Sequence, residues 1–265
     1  MNDTVYNSQS LTGVCAALCA ALGVKPPKEA APAAPALLDL IEAHGPVDRV
    51  FMYNPDAVAL WLYQKYTDLY RPVLRHTRLA LPLKSVMPSV TPVCFGTMYT
   101  GALPEVHGIR RYEKPVIRID TLFDALIRAG KKPAVVAEEN CSLALIFRER
   151  PMDYFIMPNA DACNEKASEL IERDEYDFIL DYNGNYDATM HRYAPEGKES
   201  LAALAANMAA FEALAKKIGA CWQGKHRTLL GFAPDHGCHE IDGGLGSHGL
   251  DMPEDLNILH FYNVI

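Results

Sequence analysis

Residues 228–237 read Thr-Leu-Leu-Gly-Phe-Ala-Pro-Asp-His-Gly, and the change of character halfway along this stretch decides the fold class. A short apolar run predicts a buried strand over residues 228–233. An aspartate and a histidine, Asp235 and His236, follow at once. In open α/β sheets, ligands collect outside the carboxyl ends of the strands. The same arrangement recurs upstream: Asp56 follows a predicted strand at 49–53, and Asp187 follows one at 177–182. A merely solvated aspartate has no reason to prefer such positions, so three strand ends converging on acids is the first sign of a site.

Further strands are expected at 133–137 and 257–262. Helices are expected at 57–66, 93–100, 121–129, 163–173 and 201–218, where Leu and Ala recur at three- and four-residue spacing. This alternation predicts an α/β fold with a central, mostly parallel sheet between helices on both faces. Residues 141–157 have more strand than helix character and read as an irregular edge or a reduced cap. At the N-terminus, an amphipathic helix at 11–22 is followed by a Pro/Ala-rich tether at 24–35. Residues 1–45 are therefore expected to be a helical appendage, and 46–265 the catalytic domain.

A chain of 265 residues, 49% hydrophobic, can bury a full core. Its net charge of −8 argues against a nucleic-acid polymer or an anionic membrane as partner, since both demand surplus Lys and Arg. The apolar stretch at 11–22 lacks the positive flank of a signal peptide: the first ten residues hold Asp3 and no Lys or Arg. Seven scattered cysteines without framework spacing fit buried thiols in a reducing compartment. The expected location is cytoplasmic.

Chemistry concentrates in three segments. Residues 88–101 read Pro-Ser-Val-Thr-Pro-Val-Cys-Phe-Gly-Thr-Met-Tyr-Thr-Gly, and Pro104-Glu-Val-His107-Gly-Ile109 follows. Pro92 favours a helix start there, placing the Thr91 hydroxyl at the positive end of a helix, where a phosphoryl group is stabilised. Taken alone, the segment is equally compatible with Thr91 as a plain N-cap. Asp235-His236, with His248 a dozen residues on in Gly-Ser-His-Gly, supplies oxygen and imidazole ligands suited to zinc or manganese. Asp187 and His191 stand four apart, one helical turn, and can chelate one ion.

Taken in order from Asp56 to His248, these motifs resemble the alkaline phosphatase superfamily, and within it the type I phosphodiesterase/nucleotide pyrophosphatase family. The resemblance implies that Asp187, His191 and His248 hold one metal. It implies that Asp56, Asp235 and His236 hold the other, with Thr91 reaching toward it as nucleophile. It further implies zinc as the usual ion, a mainly parallel sheet, and a cap, for which residues 101–187 leave little room.

Two departures stand out. Cys94 occupies a position where the resemblance implies an asparagine donating to the phosphoryl group, and Pro92 removes a backbone N–H beside Thr91. Cys94 and Asn183 are the candidate substrate contacts, and Lys84 and Tyr182 are lesser candidates for meeting developing charge. Cys238 and His239 are expected in supporting roles, and Arg110 and Arg111 in a solvated loop. No C-x-P-x-R motif occurs, which disfavours a sulfatase.

The function expected is two-metal hydrolysis of phosphodiesters or nucleotide pyrophosphates, with a small-molecule phosphate ester or phosphonate as partner. A phosphomonoesterase or phosphonate hydrolase using the same site, and a non-catalytic metal-binding module, are the alternatives. Oligomeric state is not readable from the sequence.

Overall fold

The computed structural model describes residues 5–265, so the first four residues of the expected 1–45 appendage lie outside the described residues. Among the described residues there are nine strands: β1 (Arg49–Pro55), β2 (Leu79–Lys84), β3 (Pro133–Glu138), β4 (Asp153–Met157), β5 (Phe178–Asn183), β6 (Thr228–Phe232), β7 (His239–Ile241), β8 (Leu245–Ser247) and β9 (Asn257–Val264). Seven form one sheet in the order β2-β9-β6-β1-β5-β3-β4, while β7 and β8 make a separate hairpin. β1 runs parallel to β5 and β6, and β3 runs parallel to β4 and β5. β9 is antiparallel to both β6 and β2, so β2 points the same way as β6. Hence β1, β2, β5 and β6 all deliver their carboxyl ends to one edge of the sheet.

The central strands are buried on both faces, as parallel strands joined by crossover helices must be. Alternate residues serve two separate cores. Val50, Met52 and Leu180 pack toward helices Gly13–Ala21 and Thr91–Thr100. Phe51, Ile179 and Leu230 pack toward Ala160–Arg173 and Lys198–Trp222. The predicted strands and the helices on both faces are therefore present.

Three expectations need correction. First, β2 was absent from the sequence reading. It lies at the sheet edge beside β9, with only a single bridge from Lys84 to Ser10 on its other side, and there Pro82 is tolerated, since an edge strand can spare an N–H. Second, residues 141–157 split into a helix, Ser142–Ile146, and the edge strand β4; the Cys141 thiol caps the helix by accepting from the Ala144 N–H at 3.3 Å.

Third, the N-terminal segment is no appendage. Leu11, Val14, Cys15, Leu18 and Cys19 have no exposed surface, so helix Gly13–Ala21 is a core element rather than an amphipathic one. The expected tether is pinned as well: Ala31 N–H donates to Gly101 O at 2.8 Å and Ala34 N–H to Gly13 O at 3.0 Å. Gly13 permits this contact, because a Cβ there would lie 2.8 Å from the Ala34 nitrogen. Residues 101–121 are irregular apart from the single turn Pro104–His107, in line with a small cap.

Candidate active site

Each strand ending at the common edge contributes to one cluster. After β1 comes Asp56, whose N–H donates to Asn183 O at 3.0 Å and so ties the ends of β1 and β5 together. β5 turns through Gly184 into helix Asn185–Tyr193, which carries Asp187 and His191 one turn apart. β6 leads to Asp235 and His236, and the loop after β2 leads to Thr91, the first residue of helix Thr91–Thr100. The loop following β8 supplies His248.

Two triads result: Asp187 with His191 and His248, and Asp56 with Asp235 and His236. Within each triad the ligand atoms lie within 4.8 Å of one another. In the first, Asp187 Oδ1 is 3.3 Å from His191 Nε2 and 3.4 Å from His248 Nε2. In the second, His236 Nε2 is 3.3 Å from Asp56 Oδ1 and 3.4 Å from Asp235 Oδ2. The rings of His236 and His248 lie 4.2 Å apart, centroid to centroid, so the triads adjoin. Thr91 Oγ1 is 3.3 Å from Asp56 Oδ2 and 3.4 Å from His236 Nε2.

Backbone carbonyls orient the three histidines. His191 Nδ1 bonds Gly246 O, His236 Nδ1 bonds Gly237 O and His248 Nδ1 bonds Ser89 O, each at 2.9 Å. A carbonyl can only accept, so each Nδ1 carries the proton and each Nε2 turns its lone pair into the cluster. Asp187 Oδ1 and Asp235 Oδ2 are buried without a regular hydrogen bond, an arrangement that costs free energy unless a cation is nearby.

Ionisation points the same way. Burial, and then the charge of Asp187, push Asp56 up to about 7. Burial and the charge of Asp56 hold Asp235 well above the usual carboxylate range. Burial also works to raise Asp187, but without a metal His191 and His248, which can donate to it only when protonated, prevail and hold it below that range. Burial, followed by the charge of His248, lowers His236 to about 3, leaving it neutral as a ligand must be. Three crowded acids with three inward imidazole lone pairs fit a pair of divalent ions.

Two expected substrate contacts are not brought to this site. Cys94 lies fully buried beneath it, its sulfur accepting from Ser85 Oγ at 3.2 Å. Asn183 is also fully buried, on the sheet face opposite Tyr182. Strand alternation is the reason in the second case: Tyr182 takes the site-facing position. The Tyr182 hydroxyl donates to Asp56 Oδ2 at 2.5 Å and so holds that carboxylate in place.

The Lys84 ammonium sits over the Tyr6 ring at 4.2 Å, and Arg111 pairs with Glu113. His239 pairs with Asp255 at 2.7 Å. At the helix start, Val93 and Cys94 N–H groups both donate to Val90 O and Pro92 has none, leaving Thr91's own N–H as the free amide of that turn. The carbonyls of Ser89, Gly237 and Gly246 went unrecognised in the sequence, because a backbone acceptor carries no residue signature.

No family model and no curated protein matches the chain. Among solved structures, it is similar to murine ectonucleotide pyrophosphatase/phosphodiesterase 5, with 16% identity, a TM-score of 0.60, and coverage of 74% of this chain and 58% of that one. An inactive form of that protein, with a threonine replaced by alanine, was solved in complex with AMP. Phosphonoacetate hydrolase from Sinorhizobium meliloti, in complex with phosphonoformate, shares 17% identity at a TM-score of 0.53, over 74% of this chain and 59% of that one. A 2-O GAG sulfatase shares 9% identity at 0.59, over 82% and 64%. The chain thus spans under two thirds of each of these proteins. At such identities the likeness shows the fold alone, an alkaline-phosphatase-like α/β architecture.

Proposed function

We propose that this chain is a metal-dependent hydrolase of phosphodiesters or nucleotide pyrophosphates, with Thr91 as its nucleophile. The observation that carries the reading is the placement of Thr91 Oγ1 against Asp56 and His236, at a helix start and beside a second Asp/His/His triad. The N-cap of this helix is Val90, and Thr91, its first helical residue, directs its hydroxyl to Asp56 and His236.

Asp187, His191 and His248 would hold one divalent ion, and Asp56, Asp235 and His236 the other, with Thr91 at its side; zinc or manganese suits the mixed oxygen and imidazole donors. When bound, such ions supply Lewis-acid stabilisation and lower the pKa of a nearby hydroxyl.

In the reaction itself, Thr91 Oγ gives up its proton and attacks phosphorus, the bond to one alcohol oxygen breaks and that alcohol leaves with a proton, and the phosphoryl group stays esterified to Thr91 and to the remaining alcohol. Water then cleaves the Thr91 Oγ–phosphorus bond and restores the hydroxyl. The free N–H of Thr91 is placed to donate to a non-bridging oxygen as its charge grows. Tyr182 holds Asp56 in one orientation throughout.

Charge favours diesters over monoesters. Three carboxylates against two divalent ions leave one net positive charge, enough for a monoanionic diester, and no arginine adjoins Thr91 for a dianion. The AMP complex of the inactive threonine variant of a structural neighbour supports a threonine acting on nucleotide phosphates. The free thiols fit a reducing, cytoplasmic setting.

Turnover of bis-aryl phosphate, aryl phosphate, aryl phosphonate and aryl sulfate with added zinc or manganese tests the proposal. Bis-aryl phosphate should be cleaved fastest, and Thr91→Ala should bind metal yet lose at least about 10³-fold in kcat. Metal binding without turnover of any ester would favour a non-catalytic module.

A further inference from the structure

Behind the β5 turn, on the sheet face away from Thr91, lies a second polar cluster with no part in the proposed chemistry. Asp181 and Asn183 stand two apart on β5 and project to this face. Asp181 is in register with Tyr53 of β1, whose hydroxyl donates to Asn207 Oδ1 at 3.1 Å and also faces Asn164. Glu138, the last residue of β3, faces the Asp181 carboxyl, and its Oε1 accepts the Gly184 N–H at 2.7 Å. The cluster is covered by helices Ala160–Arg173, bearing Asn164, and Lys198–Trp222, bearing Asn207.

Its polar atoms are largely unpartnered. Both carboxyl oxygens of Asp181, both amide atoms of Asn183, Asn164 Oδ1 and Asn207 Nδ2 are buried without a hydrogen bond of regular geometry, although the Asn183 amide lies beside the Asp181 carboxyl. Asp181 and Asn183 are wholly inaccessible, and Asn207 is 1% exposed. Buried polar groups in folded proteins are nearly always satisfied, and each orphan costs about 1–3 kcal/mol. So dense a group of orphans on one carboxylate and its amide neighbours points to a ligand.

We propose that Asp181, Asn183 and Asn164, with Glu138 at the margin, form a structural site for a hard divalent cation, calcium by its chemistry. The Cys163 thiol also faces this cluster, but burial and the charge of Asp181 raise its pKa and keep it protonated, so the donors on offer are oxygens, which favour a hard ion over zinc. The donors come from three elements without octahedral regularity, which suits calcium's flexible coordination better than magnesium's strict geometry. The Asn207 amide can turn to present its oxygen, because the Tyr53 hydroxyl can accept as well as donate. Asn183 and Glu138 flank Gly184, where β5 turns into the helix bearing Asp187 and His191. An ion here would therefore brace the turn that sets the first triad, and the inference stands independently of which ester the enzyme cleaves.

The test uses the full-length protein loaded with zinc and then titrated with calcium chloride, following bound calcium by elemental analysis and melting temperature by calorimetry. One equivalent of calcium beyond the zinc, with a rise of about 5 °C or more at saturation, is expected for wild type and for Asp235→Ala. Asp181→Asn should abolish both effects, and Glu138→Gln, at a partly exposed position tolerant of change, should weaken calcium binding about 10-fold. If calcium neither binds wild type beyond the zinc nor raises its melting temperature, or if only sodium or potassium does so, the proposal is overturned. It fails equally if calcium binds but Glu138→Gln and Asp181→Asn both retain wild-type affinity.

Discussion

Replacing Tyr182 with phenylalanine should separate the two metal positions. The hydroxyl makes one bond of consequence, 2.5 Å to Asp56 Oδ2, in a setting where Asp56 is 1% exposed. A hydrogen bond to a charged group contributes about 1.5–3 kcal/mol, and loss of a group orienting a metal ligand costs about 10- to 100-fold in affinity. Zinc affinity at the Asp56 position should fall by that factor, while the Asp187 position keeps its own. Because the Tyr182 bond lowers the Asp56 pKa, its removal also moves the acid limb of zinc binding to higher pH. Competition with a chromogenic chelator across pH 5–8 resolves both effects. Equal weakening of the two positions, or no shift of the acid limb, would refute the positioning role of Tyr182.

Chelation should expose the strain of the acid cluster. Asp56 in the folded, metal-free protein titrates at about 7, above its ordinary value of 3.8, so its contribution to stability is intact below 3.8 and is lost as pH rises through 7. The melting temperature of the chelated protein should therefore drop between pH 5 and 8, and saturating zinc should restore about 10 °C at pH 8. Gly246→Ala places a Cβ 2.5 Å from Met190 O and displaces the carbonyl that holds His191. That variant should lose about 10-fold or more in zinc affinity at the Asp187 position while the Asp56 position binds normally, as read by the same chelator competition. Leu18→Ala in the N-terminal helix should cost about 2–5 kcal/mol by urea unfolding, whereas a true appendage would show almost nothing.

Hydrophobic patterning and local chemistry made much of this protein legible from its sequence. Strands β1, β3, β5, β6 and β9 announce themselves as apolar runs, because a strand buried on both faces admits little else. Asp56, Asp187, Asp235 and His236 could be singled out because charge directly after such a run is costly without a purpose. The i,i+4 spacing of Asp187 and His191 specified their shared helix face before any contact was known.

Tertiary structure alone decided the rest. Edge strands β2 and β4 are half exposed, so their composition carries no strong signal. Helix Gly13–Ala21 becomes core only because the sheet and helix Thr91–Thr100 happen to receive it. Whether Asn183 or Tyr182 faces the site depends on a strand register that shifts every side chain to the other face with one residue of slip. The carbonyls that fix the three imidazoles belong to the backbone, which is the same at every position in the sequence and acquires an individual role only when the fold brings it beside a ring.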